Sequence, residues 1–240
     1  MAANIGDIRL GVESRVQDDA ARLGDTVLVG DVDRAILAAL AEYQIGRPRL
    51  RAAKVAGTGA FDYQLDGVSP ALPGWVQDFS DLGGVLYPYD QTKQRPTSLD
   101  RSEFVVLVLD TGIFLRFLDQ IPAAGSFFLA QYTTPHSLSA STSTVSPQDD
   151  DALEDLAASF CFGKLAAVYA QDTDASYQAD SVNRPTKSDL YRKLAADLRK
   201  AYDQKMQSGA AATPASRVGQ IRRGFGNRGN LDLHFLERLH

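Results

Sequence analysis

The sequence predicts an α+β protein with a helical core, an inserted small antiparallel β-sheet or barrel, and an extended C-terminal arm. Three observations predict this fold class. Strong helical patterns occupy Asp150–Tyr169 and Thr186–Met206. Short runs rich in Val, Phe and Tyr, separated by Gly, Pro and Asp, fill the middle of the chain from Leu50 to Thr134, as expected for strands. Beyond Ser208 the chain becomes rich in Gly, Ala and Arg, which indicates a linker rather than a packed element.

Two helices are predicted in the N-terminal part. The first has a weak apolar pattern around Val12–Leu23. The second begins at Asp31, a good N-cap residue, and ends at Gly46-Arg47-Pro48 because proline cannot continue a helix. Its apolar stripe consists of Val32, Ile36, Ala39, Leu40 and Tyr43.

Six short strands are predicted next, followed by a Ser- and Thr-rich loop at Thr133–Pro147. A helical turn at Trp75–Leu82 separates the second strand from the third. Asp110-Thr111-Gly112 is predicted to be the tight turn that joins the fourth and fifth strands into a hairpin. The six strands are Leu50–Ala56, Phe61–Leu65, Gly84–Tyr89, Glu103–Leu109, Ile113–Phe117 and Ser126–Tyr132.

The two C-terminal helices differ in character. The first is apolar on nearly every side, which is typical of a buried helix, and its Cys161 is predicted to act as a small hydrophobe. The second is amphipathic and is expected to cover the first, with Thr186 and Asp189 forming a capping box at its start. Its apolar face carries Leu190, Leu194, Leu198 and Tyr202.

These elements predict three parts: a helical core domain from residues 1–49 and 146–208, a β-rich insertion at 50–145, and a docking arm at 209–240. The composition, with 44% hydrophobic and 23% charged residues, is that of an ordinary globular protein. No apolar run approaches the roughly 18–20 residues that span a bilayer, and Met1–Leu10 lacks a secretory pattern, so we expect a soluble protein that is not exported by that route.

Charge is distributed unevenly along the chain. Residues 214–240 carry a net charge of +3, which leaves −8 for residues 1–213. An acidic body argues against a general nucleic-acid binder, because such proteins carry a basic face on the folded domain. The basic arm ends in apolar residues and is therefore predicted to dock on a partner.

Sequence motifs for catalysis, cofactors and metals are weak. Val106–Gly112 has the Asp-Thr-Gly pattern of an aspartic protease half-site, which would require a dimer that pairs two copies of Asp110, but a hairpin turn explains it better. His136 accompanies no Gly-x-Ser-x-Gly nucleophile motif, and the histidines do not fall at metal-ligand spacing with Cys161. We therefore expect no enzyme, no cofactor and no metal.

A further alternative is a small-molecule binding module in the β-rich insertion. It would use Trp75, Tyr87 and Tyr89, although such aromatic residues more often belong to a core or an interface.

Several segments together resemble the head-to-tail connector (adaptor) proteins of tailed bacteriophages and prophages. They are Val27–Tyr43, Pro122–His136, Ala152–Tyr169, Ala179–Val182, Lys187–Tyr191 and Ala201-Tyr202. The resemblance covers about Asp7–Gln207 and rests on general pattern rather than on an invariant signature.

The resemblance implies a structural virion protein of a phage or phage-like particle. Such adaptors assemble, typically as about twelve copies, into a ring beneath the portal, and DNA passes through the ring without specific binding. The partners implied are the portal protein, stopper or tail proteins and further copies of the chain, with no membrane. The location implied is the neck of the virion, after synthesis in the host bacterial cytoplasm.

The resemblance also gives the arm a role, since the C-terminal segment of such proteins often reaches the portal. The expected portal contacts combine charge with apolar anchors and are Arg222, Arg223, Leu231, Leu233, Phe235 and Leu236. Small residues on the helices would allow close approach between copies; they include Ala152, Ala157, Ala158, Ala166 and Ala167. Alternatives are another neck or tail component, such as a stopper or tail-terminator ring, and remotely the dimeric hydrolase that would use Asp110.

Overall fold

The computed structural model describes residues 4–22, 29–66, 70–92, 97–170 and 186–211. Within these ranges the chain is α+β, as predicted, with the helices and strands in two separate hydrophobic clusters. The helices are α1 (Ile5–Arg22), α2 (Val29–Gly46), α3 (Asp150–Tyr169) and α4 (Lys187–Ala211). The strands are β1 (Arg49–Ala56), β2 (Asp62–Gln64), β3 (Leu82–Leu86), β4 (Phe104–Leu109), β5 (Gly112–Phe117) and β6 (Phe127–Thr134).

Helix α3 forms the centre of the helical cluster and packs against the other three helices. Half of its residues are buried, which confirms the prediction from its apolar sequence. Helix α4 covers it as predicted, with the Tyr191 ring stacked between Phe162 and Tyr169 at centroid distances of 5.8 and 5.9 Å. None of the described helices is both long enough and apolar enough to cross a membrane.

The alanines that were expected to bring copies together are mostly used inside the chain. Ala152, Ala157, Ala158 and Ala166 are buried in the helical cluster, and only Ala167 is exposed. The expectation that these residues form a contact between copies is therefore wrong at four of the five positions. Their small size instead lets α3 approach its neighbouring helices closely.

The strands form two three-stranded antiparallel sheets, in the orders β1-β6-β3 and β2-β5-β4. The sheets pack over a shared core and do not close into a barrel, so the sheet alternative is the correct one. The central aromatic contact joins Tyr63 of β2, Phe117 of β5 and Phe128 of β6, with ring centroids 4.9–5.6 Å apart. We call this unit the β module.

Several helix and strand boundaries differ from the predictions. Helix α1 begins at Ile5 rather than at Val12, because the Asn4 side chain accepts bonds from the Gly6 and Asp7 amides at 2.8 and 3.1 Å and caps the helix. Helix α2 begins at Val29, which places Asp31 in its first turn instead of at the N-cap.

The segment predicted as a helical turn before β3 contains one turn only. The Ser80 amide donates to the Val76 carbonyl at 2.8 Å, and β3 then begins at Leu82. The division of the chain into a core domain (1–49 and 146–208), an insertion (50–145) and an arm (209–240) stays a prediction.

Candidate functional site

Asp110 lies in the predicted hairpin turn. Strands β4 and β5 pair from Phe104 with Phe117 to Leu109 with Gly112, which leaves Asp110 and Thr111 as the two exposed turn residues. Gly112 has a φ of +135°, and a side chain there would meet the Asp66 carboxylate, which accepts a bond from the Ile113 amide at 3.1 Å. The turn therefore explains the Asp-Thr-Gly sequence by backbone geometry.

His136 lies where the β module joins the helical cluster. Its Nδ1 is 2.9 Å from the Thr144 carbonyl oxygen, its Nε2 is 2.9 Å from the Arg47 carbonyl oxygen, and its ring packs against Tyr43. A carbonyl oxygen only accepts hydrogen bonds, so Nε2 donates to Arg47, while Nδ1 also lies 3.2 Å from the Thr144 hydroxyl oxygen. His136 thus connects the loop after β6 to the end of α2.

Three further side chains complete this junction, which we define as Tyr43, Arg47, His136 and Asp149. The Tyr43 hydroxyl donates to one oxygen of the buried Asp149 carboxylate at 2.8 Å, and Arg47 donates to the other at 2.5 Å. Arg47 also donates to the Met206 carbonyl of α4 at 2.7 Å. Burial, and then the bond to Asp149, raise the pKa of Tyr43. The junction therefore links α2, the start of α3 and α4 to the β module.

A second charged cluster ties the helices to one another. Arg15 of α1 contacts Asp151, Glu154 and Asp155 of α3, and Lys205 of α4 contacts Asp151 and Asp155. Burial raises the pKa of Glu154 although Arg15 opposes this shift, whereas the bond from Lys205 lowers the pKa of Asp151. Each carboxylate faces a cation, so the cluster stabilises packing between the helices.

The aromatic residues of the small-molecule alternative do not line the open recess that the described residues form beside β5. Trp75 packs against Tyr132 at a centroid distance of 6.2 Å, and the Tyr87 hydroxyl donates to the Ile121 carbonyl at 3.2 Å. The Tyr89 amide donates a hydrogen bond to the Phe127 carbonyl. The recess measures about 560 Å³, is wide open, and is lined by Ala60, Phe61, Asp62, Arg116, Phe117 and Leu118.

Cys161 is buried in the helical cluster, as its apolar neighbours predicted. Burial raises the pKa of its thiol to about 11, so the thiol stays protonated at neutral pH. Within the described residues, no group of three or more His, Cys, Asp or Glu side chains has a geometry suited to a metal ion.

The β module has a long open strand edge that carries no charge. The Glu103 carbonyl accepts a hydrogen bond from the Leu118 amide at 2.8 Å, so the backbone groups of Glu103 face β5. Because the backbone N–H and C=O groups of successive residues in a strand point to alternate sides, those of Phe104, Val106 and Val108 point away from β5. No described strand pairs with this side, which we call the β4 edge. In the same strand, the apolar residues Val105, Val108 and Leu109 expose 37%, 62% and 50% of their surface.

A second open edge belongs to β1. The Gly57 amide donates to the Ser126 carbonyl at 2.8 Å, so the backbone amide of Gly57 faces the β6 side. Because backbone groups point to alternate sides along a strand, those of Leu50, Ala52, Lys54 and Ala56 point away from β6. We call this side the β1 edge, and it too has no partner among the described strands.

Strand β1 carries basic side chains, whereas strand β4 carries no charged side chain. Arg49, Arg51 and Lys54 lie within β1, whereas Glu103 and Asp110 flank β4 at its two ends.

The residues predicted to contact the portal lie outside the described residues; they are Arg222, Arg223, Leu231, Leu233, Phe235 and Leu236. Sequence reasoning missed the junction and the two edges. Tyr43 and Asp149 stand 106 positions apart, so no local pattern signals their contact. The edges had a local signal, since β4 is an uncharged run with acidic neighbours, but only strand order shows that it is unpaired.

Comparison with protein-family models, with curated proteins and with solved structures found no match for the chain.

Proposed function

We propose that the chain is a head–tail adaptor of a tailed phage or phage-like particle. In this role, copies of the chain form a ring of about twelve beneath the portal, join capsid to tail and let DNA pass. The protein is made in the host bacterial cytoplasm and resides in the neck of the virion. Its partners are the portal protein and the stopper or tail proteins.

The observation that carries the proposal is where the segments of the resemblance lie. Pro122–His136 contains β6 and the histidine of the junction, Ala152–Tyr169 lies in α3, and Lys187–Tyr191 begins α4. The α3 and α4 segments pack against each other, and His136 at the end of the first segment contacts the Arg47 carbonyl after α2, so the resemblance extends over both hydrophobic clusters and the connection between them. Ala179–Val182 lies outside the described residues.

Charge also supports the proposal. Residues 1–213 carry a net charge of −8, and an acidic wall does not hold the phosphates of DNA that must slide through it. The arm carries +3, which suits an acidic portal surface, with the apolar residues at its end as anchors.

Reconstitution with portal rings from the same genome tests the proposal. We expect electron microscopy to show a cyclic collar beneath the portal, and we expect a chain without residues 216–240 to stay folded by circular dichroism while losing portal binding. A matched pair separates charge from anchoring: Arg222→Gln with Arg223→Gln should make binding less sensitive to salt, whereas Leu233→Ser with Phe235→Ser should abolish it.

Other results would contradict the proposal. Binding of the purified chain to tail proteins but not to the portal would favour a stopper or tail terminator. A truncated chain that no longer folds would show that the arm belongs to the core of its own chain.

A further inference from the structure

The β1 edge and the β4 edge lie on opposite sides of the β module. The central strands β5 and β6 stack through Phe117 and Phe128, whose centroids are 5.1 Å apart. Strand β1 runs into β2 through residues 57–61, and the residues that precede β4 bond to β3, with the Leu99 amide donating to the Val85 carbonyl at 2.9 Å. Hence β1 lies over β2 and β3 lies over β4, which puts the β1 edge and the β4 edge on opposite sides.

The β4 edge lacks the features that usually keep an edge strand from pairing. Its six residues include no proline, no charged side chain and no bulge in the pairing with β5. Sheets of natural proteins normally protect such an edge with one of these features, because open backbone donors and acceptors pair readily with another strand. The β4 edge is therefore suited to receive a strand.

Charge selects which strand fits. Two β4 strands in antiparallel pairing would bring Glu103 of one copy near Asp110 of the other, and two β1 strands would bring their basic residues together. A β1 strand next to β4 instead places Arg49, Arg51 and Lys54 near those acidic residues, whichever way the strands run. Of these three pairings, the mixed one alone is favourable in charge, and it covers the β1 edge and the β4 edge in one contact.

We propose that the β4 edge of one copy pairs with the β1 edge of a neighbouring copy, so that the β modules form a head-to-tail belt. Because the two edges differ and lie on opposite sides, every copy donates one edge and accepts the other, which is a heterologous contact that can close into a ring. The closure into a ring rests on the proposed function; the pairing of the two edges does not.

Cysteine crosslinking tests the pairing directly. Ala52 and Val108 are exposed and contribute backbone groups to the two edges, while the native Cys161 is buried and protonated. The Ala52→Cys/Val108→Cys variant is treated with a short bismaleimide in two states: as free protein at high concentration, and bound to portal rings. In both states it should give a ladder of crosslinked products beyond the dimer. Each single variant should give monomer only, because head-to-tail pairing never brings two copies of one edge together.

Charge provides a matched pair of variants at the same exposed position. Val108→Lys places a cation opposite the basic β1 edge and should weaken self-association, measured by analytical ultracentrifugation, about tenfold. Val108→Glu changes β4 to the same extent but adds an attractive charge and should leave association unchanged or stronger. Equal weakening by both variants would contradict the pairing.

Other outcomes overturn the inference separately from the function. Dimers from a single cysteine variant would indicate two-fold pairing, and crosslinking of Val108→Cys with Leu233→Cys in place of Ala52→Cys would assign the edge to the C-terminal arm. A portal collar that forms without any Ala52–Val108 crosslink would overturn the belt and leave the adaptor proposal intact. A crosslinked ladder without portal binding would support the belt and count against the adaptor.

Discussion

Gly57 occupies a position between backbone carbonyl groups where no side chain fits. Its amide donates to the Ser126 carbonyl at 2.8 Å, and an added Cβ would collide with the Ala123 carbonyl and lie 2.8 Å from that of Pro122. These atoms belong to the backbone, so they move only if the segment that leads into β6 shifts. The glycine is therefore required for close approach.

Substitution of this glycine should destabilise the β module. We expect Gly57→Ala to lower the free energy of unfolding by about 1–3 kcal/mol, the usual cost of forcing extra atoms into a packed site. Gly163→Ala is the matched control, because that residue lies exposed in α3 with open space around its Cα, and alanine there should stabilise the helix by about 0.5–1 kcal/mol. Urea denaturation measures both, and equal effects would contradict the steric explanation.

The raised pKa of Tyr43 predicts that the free energy of unfolding depends on pH in the alkaline range. Burial and the bond to Asp149 raise the pKa of Tyr43 above its ordinary value of 10.0, so the folded state resists ionisation where the unfolded state ionises. The stabilisation from this residue is complete below pH 10 and is lost as pH rises above it.

Tyr43→Phe isolates this effect. At pH 7 the variant should lose about 1–2 kcal/mol, because Asp149 loses one of its donors. At pH 11 the difference from the natural chain should shrink, since phenylalanine has no proton to lose on unfolding. Denaturant titrations at the two pH values measure this, and a difference that stays constant between them would contradict the assignment.

Among the elements, those with strong local signals were predictable. Helix α3 has the predicted bounds, and Thr186 caps α4 as predicted, with the Asp189 amide 3.2 Å from its hydroxyl. The turn at Asp110 was predictable for the same reason, because hairpin turns depend on the conformation of two or three residues.

Strand order and the ends of weak helices were not predictable. Strand β6 pairs with β1 from Arg49 opposite Thr134 to Ala56 opposite Phe127, and such pairing depends on residues far apart in the chain. The cap from Asn4 has no counterpart in the apolar pattern, which starts only later in α1. The candidate edges depend on strand order, so they became visible only with the fold.

At the scale of the whole molecule, two hydrophobic clusters share a narrow polar connection. Most packing lies within the helical cluster or within the β module. Of the junction contacts, the one from the His136 Nε2 to the Arg47 carbonyl joins the segment after β6 to the end of α2, whereas the bonds of Tyr43 and Arg47 to Asp149 and Met206 join helices to one another. In a belt of β modules, this connection would join each helical cluster to the belt.

Removal of the Arg47 side chain should destabilise the helical cluster selectively. In Arg47→Met the Asp149 carboxylate keeps the Tyr43 hydroxyl but loses its cation, and the Met206 carbonyl loses a donor, which should cost about 1–3 kcal/mol. Because both lost bonds lie within the helical cluster and methionine keeps the carbonyl that contacts His136, we expect calorimetry to show the helical cluster unfolding before the β module, as broadened or two separate transitions. Arg192→Met is the control, since Arg192 is an exposed residue of α4 whose ion pair with Asp189 spans 3.9 Å on the surface, and it should leave the profile unchanged. A single, uniformly lowered transition for Arg47→Met would contradict this expectation, because it would mean that the two clusters still unfold together.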